Sequence, residues 1–141
     1  MVDRNVVAAK LTALAERTAR VRLHTPDNQA ALAANLDALE LVSFNLMLAV
    51  QCCIDIAAHL IADQDWTPTG TLGEAFGRLS EHGVITVATR DALKRAVGLR
   101  NVVAHAYGAV DPALVHRAAT AGLADLDTFA RELSTWLLTV P

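Results

Sequence analysis

LMLAVQCCIDIAAHLIA, residues 46–62, decides the fold. Only Gln51, Asp55 and His59 interrupt its run of Leu, Ile, Val, Met, Cys and Ala. Together with Asp63 these three recur at four-residue steps, the spacing that keeps side chains on one face of an α-helix. Over Leu41–Ile61 apolar side chains lie on several faces, so this helix must be buried by neighbours on more than one side. The three polar groups would be costly in lipid, which argues against a membrane span.

The pattern extends in both directions. Residues 27–65 contain no Gly or Pro, and Leu32, Leu36, Leu39, Leu46, Val50, Cys53, Ala57 and Leu60 recur at three- and four-residue steps. One unbroken helix over this stretch would exceed roughly 50 Å, longer than a compact domain needs. The stretch is therefore expected to bend, to split, or to lie partly in a subunit interface. Upstream, residues 2–23 predict an amphipathic helix with Val6, Leu11, Leu14, Val21 and Leu23 on its apolar face. Thr25-Pro26 reads as an N-cap followed by a proline at the first helical position. Downstream, Thr71 and Glu74 form a capping-box pair that opens a short helix closing near Gly83. Residues 86–107 predict a further helix stopped by Gly108. Asp111-Pro112 opens another that ends near Gly122, and residues 125–140 carry the last.

Composition agrees with an all-α bundle forming a single domain over residues 1–141. The chain is 53% hydrophobic but only 4% aromatic, and its apolar residues are chiefly Ala, Leu and Val. The adjacent cysteines Cys52 and Cys53 imply no disulfide framework. The opening Met1-Val2-Asp3-Arg4-Asn5 has no signal-peptide character, and a reducing cytoplasm is the expected setting. A net charge of −3 gives no global nucleic-acid signature. The segment from Arg90 to Arg117 departs from that balance. Arg90, Lys94, Arg95, Arg100 and Arg117 face only Asp91 and Asp111, a local charge of +3. Any RNA-directed surface is expected there.

Chemistry concentrates in the same segment. Arg100-Asn-Val-Val-Ala-His105-Ala-Tyr107 places arginine, histidine and tyrosine in an otherwise apolar helix. A guanidinium binds phosphate through two parallel hydrogen bonds and holds developing negative charge. An imidazole exchanges protons near neutral pH, activating a ribose 2′-hydroxyl or protonating a leaving 5′-oxygen, without any metal. Geometry limits the pairing: Arg100 and Tyr107, seven apart, share a helix face, whereas His105 lies about 140° round from Arg100. Both groups meet one phosphate only if the helix end distorts or a second copy contributes. On spacing alone the segment reads better as a helix end with an ion-paired arginine and a capping histidine.

The other polar groups read structurally. The stripe Gln51, Asp55, His59, Asp63 lacks a third and fourth ligand at metal-site spacing, and is expected to form a solvated or subunit-facing edge with an Asp55–His59 contact. Support of a nearby active site is its lesser alternative. His24, His82 and His116 lie near helix ends. Trp66 and Trp136 read as packing residues rather than a base-stacking platform, and Cys53 as an inert buried thiol.

The surrounding sequence resembles a known family. Arg100-x4-His105-x-Tyr107 matches the R-x4-H-x-Y signature of the HepT-like branch of the HEPN superfamily. Residues 46–62 look like that family's long central helix, and Thr71-Leu-Gly-Glu-Ala-Phe76, Leu99–Tyr107 and Asp111 follow in the expected order. The resemblance covers nearly the whole chain. It implies a HEPN-type up-and-down bundle of about five to six helices that dimerises around the signature helix.

It also implies the toxin of a type VII toxin–antitoxin system, a metal-independent RNA endonuclease that needs no cofactor. By the same resemblance Arg100 stabilises the scissile phosphate, His105 is the general acid or base and Asn101 a polar assistant. The implied partner is a minimal nucleotidyltransferase antitoxin able to transfer AMP to Tyr107. An adduct there would compete with RNA phosphate for Arg100. Two alternatives stand beside this reading: a non-catalytic HEPN subunit that assists a nucleotidyltransferase, and a structural dimer without a ligand.

Overall fold

The computed structural model describes residues 2–106 and 110–141. Among them, seven helical segments and no strand are formed: α1 (Arg4–His24), α2 (Gln29–Ala33), α3 (Leu36–Asp63), α4 (Leu72–Glu81), α5 (Val87–His105), α6 (Pro112–Ala119) and α7 (Ala121–Leu137). With the single turn α2 set aside, six helices make the bundle, as expected.

The 28 residues of α3 extend about 42 Å, and α3 touches all six other helices. By length and composition it could cross a membrane, yet more than half of its most apolar window is buried inside the protein. Val42, Leu46, Val50, Cys53, Ile56, Ala57 and Leu60 are fully or nearly fully enclosed. One cluster of buried apolar residues runs through α1 to α7. At its far side Phe76 of α4 meets Phe129 of α7 edge-to-face, with centroids 5.8 Å apart.

Three pairings set α1 antiparallel to α3. The Asp3 amide donates to Asp63 (3.1 Å), Lys10 meets Asp55 (3.1 Å), and Arg17 donates to Asn45 (3.2 Å). Helices α1 and α7 are tied in the same sense, Arg4 donating to the Leu137 carbonyl (2.6 Å) while Arg22 pairs with Asp127 near the middle of α7.

Several boundaries match the sequence reading. Thr71 caps α4 by accepting from the Glu74 amide (3.2 Å), although the Glu74 carboxylate reaches back to the Gly70 amide (3.0 Å) rather than to Thr71. Gly83, with φ +73°, follows the His82 C-cap. Asp111 caps α6, with Pro112 opening it. The long stretch splits at Asn35, whose side chain accepts from the Ala38 amide (3.1 Å) and starts α3 afresh.

Other expectations are corrected. Thr25 closes α1 instead of opening α2, because both its amide and its hydroxyl donate to the Val21 carbonyl one turn back. Asn28 is the true cap of α2, accepting from the Ala31 amide (2.8 Å). The buried face of α1 is Val7, Leu14, Thr18 and Val21. Seven-residue steps return to one face, whereas Leu23, nine beyond Leu14, points the opposite way and is 73% exposed. The last helix begins at Ala121, so Gly122 lies in its first turn, where amides need no intrahelical acceptor. The expected stop at Gly108 lies outside the described residues.

Helix α5 is anchored at its start by α7. Glu132 accepts from the Thr86 amide (2.6 Å) and from the Thr89 hydroxyl. A carboxylate at this end also meets the positive pole of the helix dipole. Replacing it removes both links, so Glu132→Ala is expected to lower stability by about 1–2 kcal/mol. Urea unfolding should show a lower midpoint at unchanged m-value.

Candidate active site

The register of α5 explains which of its side chains face the bundle. Leu93 and Val97 are buried. Arg100 comes three residues after Val97 and seven after Leu93, so it continues the same stripe at the bundle's edge. There its Nη2 donates to Oε1 of Gln51 on α3 (2.9 Å), and Nη1 donates to Oδ1 of Asn101 (3.1 Å). Its Nε is enclosed, with no acceptor among the described residues. Arg100 is therefore a half-buried cation held by two neutral amides. No carboxylate neutralises it among the described residues, which leaves its charge available to an anion.

The expected ion-paired arginine is thus replaced by an amide-bound one. The sequence did not expose the Gln51 link, since α3 and α5 are far apart in the chain. The signal that pointed to it was the regular polar stripe on an otherwise apolar helix. Gln51 Nε2 donates to Asp55 Oδ1 (2.8 Å), and Asp55 Oδ2 meets Lys10 Nζ (3.1 Å). The anticipated Asp55–His59 contact is not formed. Asp55 turns back to Gln51, and His59 Nε2 lies 3.0 Å from Asp63 Oδ2 instead, close but not aligned for a hydrogen bond. Both pairs use i, i+4 neighbours, as helix geometry allows.

His105 is the last residue of α5 and is exposed. The helix stays regular through both Arg100 and His105, so the distortion that could have brought them together is absent between them. The two remain about 140° apart round the axis. Asn101 stands four residues before His105, about 40° away, on the same exposed side. Its side chain is therefore the bridge between the two, bonded to Arg100 while sharing the face of His105. Val102, 46% exposed, lies on this face too. Tyr107 lies outside the described residues.

The basic segment is only partly neutralised. Arg90 pairs with Asp91 (2.9 Å), and that hydrogen bond, more than neighbouring positive charge, holds the Asp91 carboxyl below the usual carboxylate range. Lys94, Arg95 and Arg117 are exposed. Arg95 and Arg117 flank a cavity of about 320 Å³ between α3, α5, α6 and α7, whose walls are mostly Leu, Val and Ala.

Other residues singled out in the sequence make packing contacts. Trp66 stacks on His82 (centroids 4.0 Å) and meets Trp136 edge-on. His116 Nε2 sits 2.9 Å from the Pro26 carbonyl oxygen. No cluster of three or more metal-binding side chains exists among the described residues.

Comparison with known proteins places the chain. The Ribonuclease HepT-like family profile matches residues 14–133, and the chain belongs to this family. It is 32% identical over 88 residues to the mRNA nuclease HepT of Shewanella oneidensis, an alignment spanning 62% of this chain and 66% of that protein. It is 28% identical over 95 residues to the tRNA nuclease HepT of Aphanizomenon flos-aquae, spanning 67% and 65% respectively. The chain thus spans just under two thirds of the length of these curated relatives. Its fold matches the Shewanella oneidensis HEPN toxin, solved in tri-AMPylated form with its MNT antitoxin. The TM-score is 0.85 at 24% identity, covering 96% of this chain and 99% of that one. It also matches a toxin–antitoxin structure with AMP-PNP, with TM-score 0.87 at 23% identity over 94% and 99%. These likenesses establish the HEPN fold.

Burial governs the two thiols. Cys53 is fully enclosed and its thiol is pushed far up by desolvation, while Cys52 is raised less, again mainly by burial. A raised thiol carries little thiolate at pH 8, and the thiolate is the nucleophile. Iodoacetamide at pH 8 should therefore leave Cys53 unmodified in the native protein and alkylate it in urea, as peptide mass analysis will show.

Proposed function

We propose that this chain is the toxin of a type VII toxin–antitoxin pair, a metal-independent RNA endonuclease acting as a cytoplasmic homodimer. The observation that carries the reading is Arg100. It is a half-buried guanidinium without a carboxylate partner among the described residues, five residues before His105 on a helix of a HepT-like chain. RNA is the substrate class on which the curated relatives act by name. We take residues 1–141 as one HEPN domain.

The regular helix makes a single copy insufficient, because its own His105 points away from Arg100. A second copy packed against the exposed Asn101–Val102–His105 face supplies the missing imidazole. RNA phosphate then lies between Arg100 of one copy and His105 of the other. One imidazole removes the ribose 2′-hydroxyl proton, and the 2′-oxygen attacks phosphorus. The bond to the 5′-oxygen breaks, and the same His105, now an imidazolium, returns its proton to that leaving oxygen, giving a 2′,3′-cyclic phosphate and a 5′-hydroxyl. Arg100 holds the charge that grows on the non-bridging oxygens, and Asn101 keeps both groups in register. Neither a metal nor a cofactor enters these steps.

Control follows from the partner seen with the relatives. A minimal nucleotidyltransferase antitoxin transfers AMP from ATP to the Tyr107 phenolic oxygen, releasing pyrophosphate. The adduct's phosphate then occupies the arginine that RNA needs. The acidic net charge of −3 favours a second reading, a non-catalytic subunit of such a nucleotidyltransferase.

Expression of the chain alone should arrest bacterial growth, while Arg100→Ala and His105→Ala should be tolerated. Equal tolerance of all three would establish the non-catalytic reading instead. Purified protein should cleave RNA undiminished in EDTA, and strict dependence on a divalent ion would contradict the proposed chemistry. Incubation with ATP and the neighbouring nucleotidyltransferase should add AMP to Tyr107, read by mass spectrometry of the tryptic peptide.

A further inference from the structure

Within the ribonuclease reading, we infer that Gln51, Asp55 and Lys10 are positioning residues that fix the rotation of the Arg100 guanidinium through one directional hydrogen-bond chain. The chain runs from Lys10 Nζ to Asp55 Oδ2 (3.1 Å), from Gln51 Nε2 to Asp55 Oδ1 (2.8 Å), and from Arg100 Nη2 to Gln51 Oε1 (2.9 Å). It crosses three helices, α1, α3 and α5, and ends on the arginine proposed to meet phosphate.

Each link has one workable polarity. Arginine only donates and a carboxylate only accepts. Gln51 stands between them, so its amide must turn its oxygen to Arg100 and its nitrogen to Asp55. A flipped amide would place NH2 against guanidinium and oxygen against carboxylate, two repulsive contacts in place of two bonds. Asp55 is in turn fixed by Lys10. The arginine thereby keeps its full charge while losing its freedom to rotate. A carboxylate at position 51 would also hold Arg100, but it would neutralise the cation that an anion must find. The neutral amide separates orientation from neutralisation, and Asp55, one helical turn further, carries the negative charge away from the phosphate side.

The same geometry assigns the free donors. With Nη2 committed to Gln51, Nη1 to Asn101 and Nε enclosed, the second hydrogens of the two Nη groups remain for an anion. An arginine turned about its Cδ–Nε bond would present a differently aimed fork. Displacement of a reacting group by about 1 Å costs on the order of 100-fold in rate, so locking this rotation bears directly on turnover.

The test uses the full-length protein, uniformly 15N-labelled, with cleavage of a fixed RNA measured in parallel. In the wild type the Arg100 Nη groups should give separate 15N signals in slow exchange, because both are held. Gln51→Leu should merge them and lower kcat/KM by about 10- to 100-fold, with most of the loss in kcat. Gln51→Glu should keep the signals separate yet raise KM, because the ionised side chain competes with RNA phosphate for Arg100. Asp55→Leu should mimic Gln51→Leu. Asp55→Asn, whose amide oxygen accepts from Gln51 only by turning its NH2 toward Lys10, should recover the signals and the rate in part. Far-ultraviolet dichroism and urea midpoints confirm that each variant is folded.

Unchanged Arg100 signals in Gln51→Leu, or equal kinetics for Asp55→Leu and Asp55→Asn, would overturn the inference. If the wild type cleaves no RNA while the signals respond as described, the relay stands and the ribonuclease reading fails.

Discussion

The rest of the structure depends on the burial of α3. Twenty-eight residues that are apolar almost all round are stable in water only if other helices cover them. Six do so, and the bundle is the arrangement that lets them. Two of these neighbours are then held by specific polar links at the rim: α1 through Asp63, Asp55 and Asn45, and α5 through Gln51. Polar residues on α3 are therefore not decoration on a core helix. They set which neighbour lies where, and one of them delivers Arg100 to a defined orientation.

That arrangement places two kinds of group on α5. The stripe Leu93, Val97, Arg100 faces the bundle, while Asn101, Val102 and His105 face outward. A guanidinium at the boundary of a packed core is held more rigidly than a surface one, and fewer competing waters surround it. An imidazole on the outer face of the last turn is accessible to a second molecule. The split follows from 3.6 residues per turn and needs no special feature of the backbone. Local charge works in the same direction: an acidic protein keeps its exposed Lys94, Arg95 and Arg117, without an ion pair among the described residues, in the chain segment that carries Arg100.

Much of the architecture was legible in the sequence because local chemistry decided it. Thr71, Thr86 and Asp111 start helices where their side chains can accept the first free amides. The all-round apolar character of Leu41–Ile61 correctly announced a helix covered on several sides. What stayed hidden was set by competition or by distance. Thr25 had two possible roles, and the carbonyl of its own preceding turn won. The break before α3 falls in a stretch without Gly or Pro, where the Asn35 side chain alone marks it. The face of α1 was misjudged because Val6 and Val7 are both apolar and only packing chooses between them. For the candidate site, the family motif marked Arg100, Asn101 and His105, while the polar stripe on α3 flagged Gln51 without linking it to Arg100, 49 positions away.

The central claim is that a working site takes its arginine and its histidine from different copies of one chain. Mixed dimers test it most directly. Arg100→Ala protein and His105→Ala protein, each silent alone, are unfolded together, refolded, and the mixed species isolated by two different affinity tags. In an isologous pair, one of the two composite sites regains both intact groups. The mixed dimer should then cleave RNA at about half the wild-type rate. No activity in a mixed dimer of proven composition, alongside an active wild-type control refolded the same way, would contradict the account.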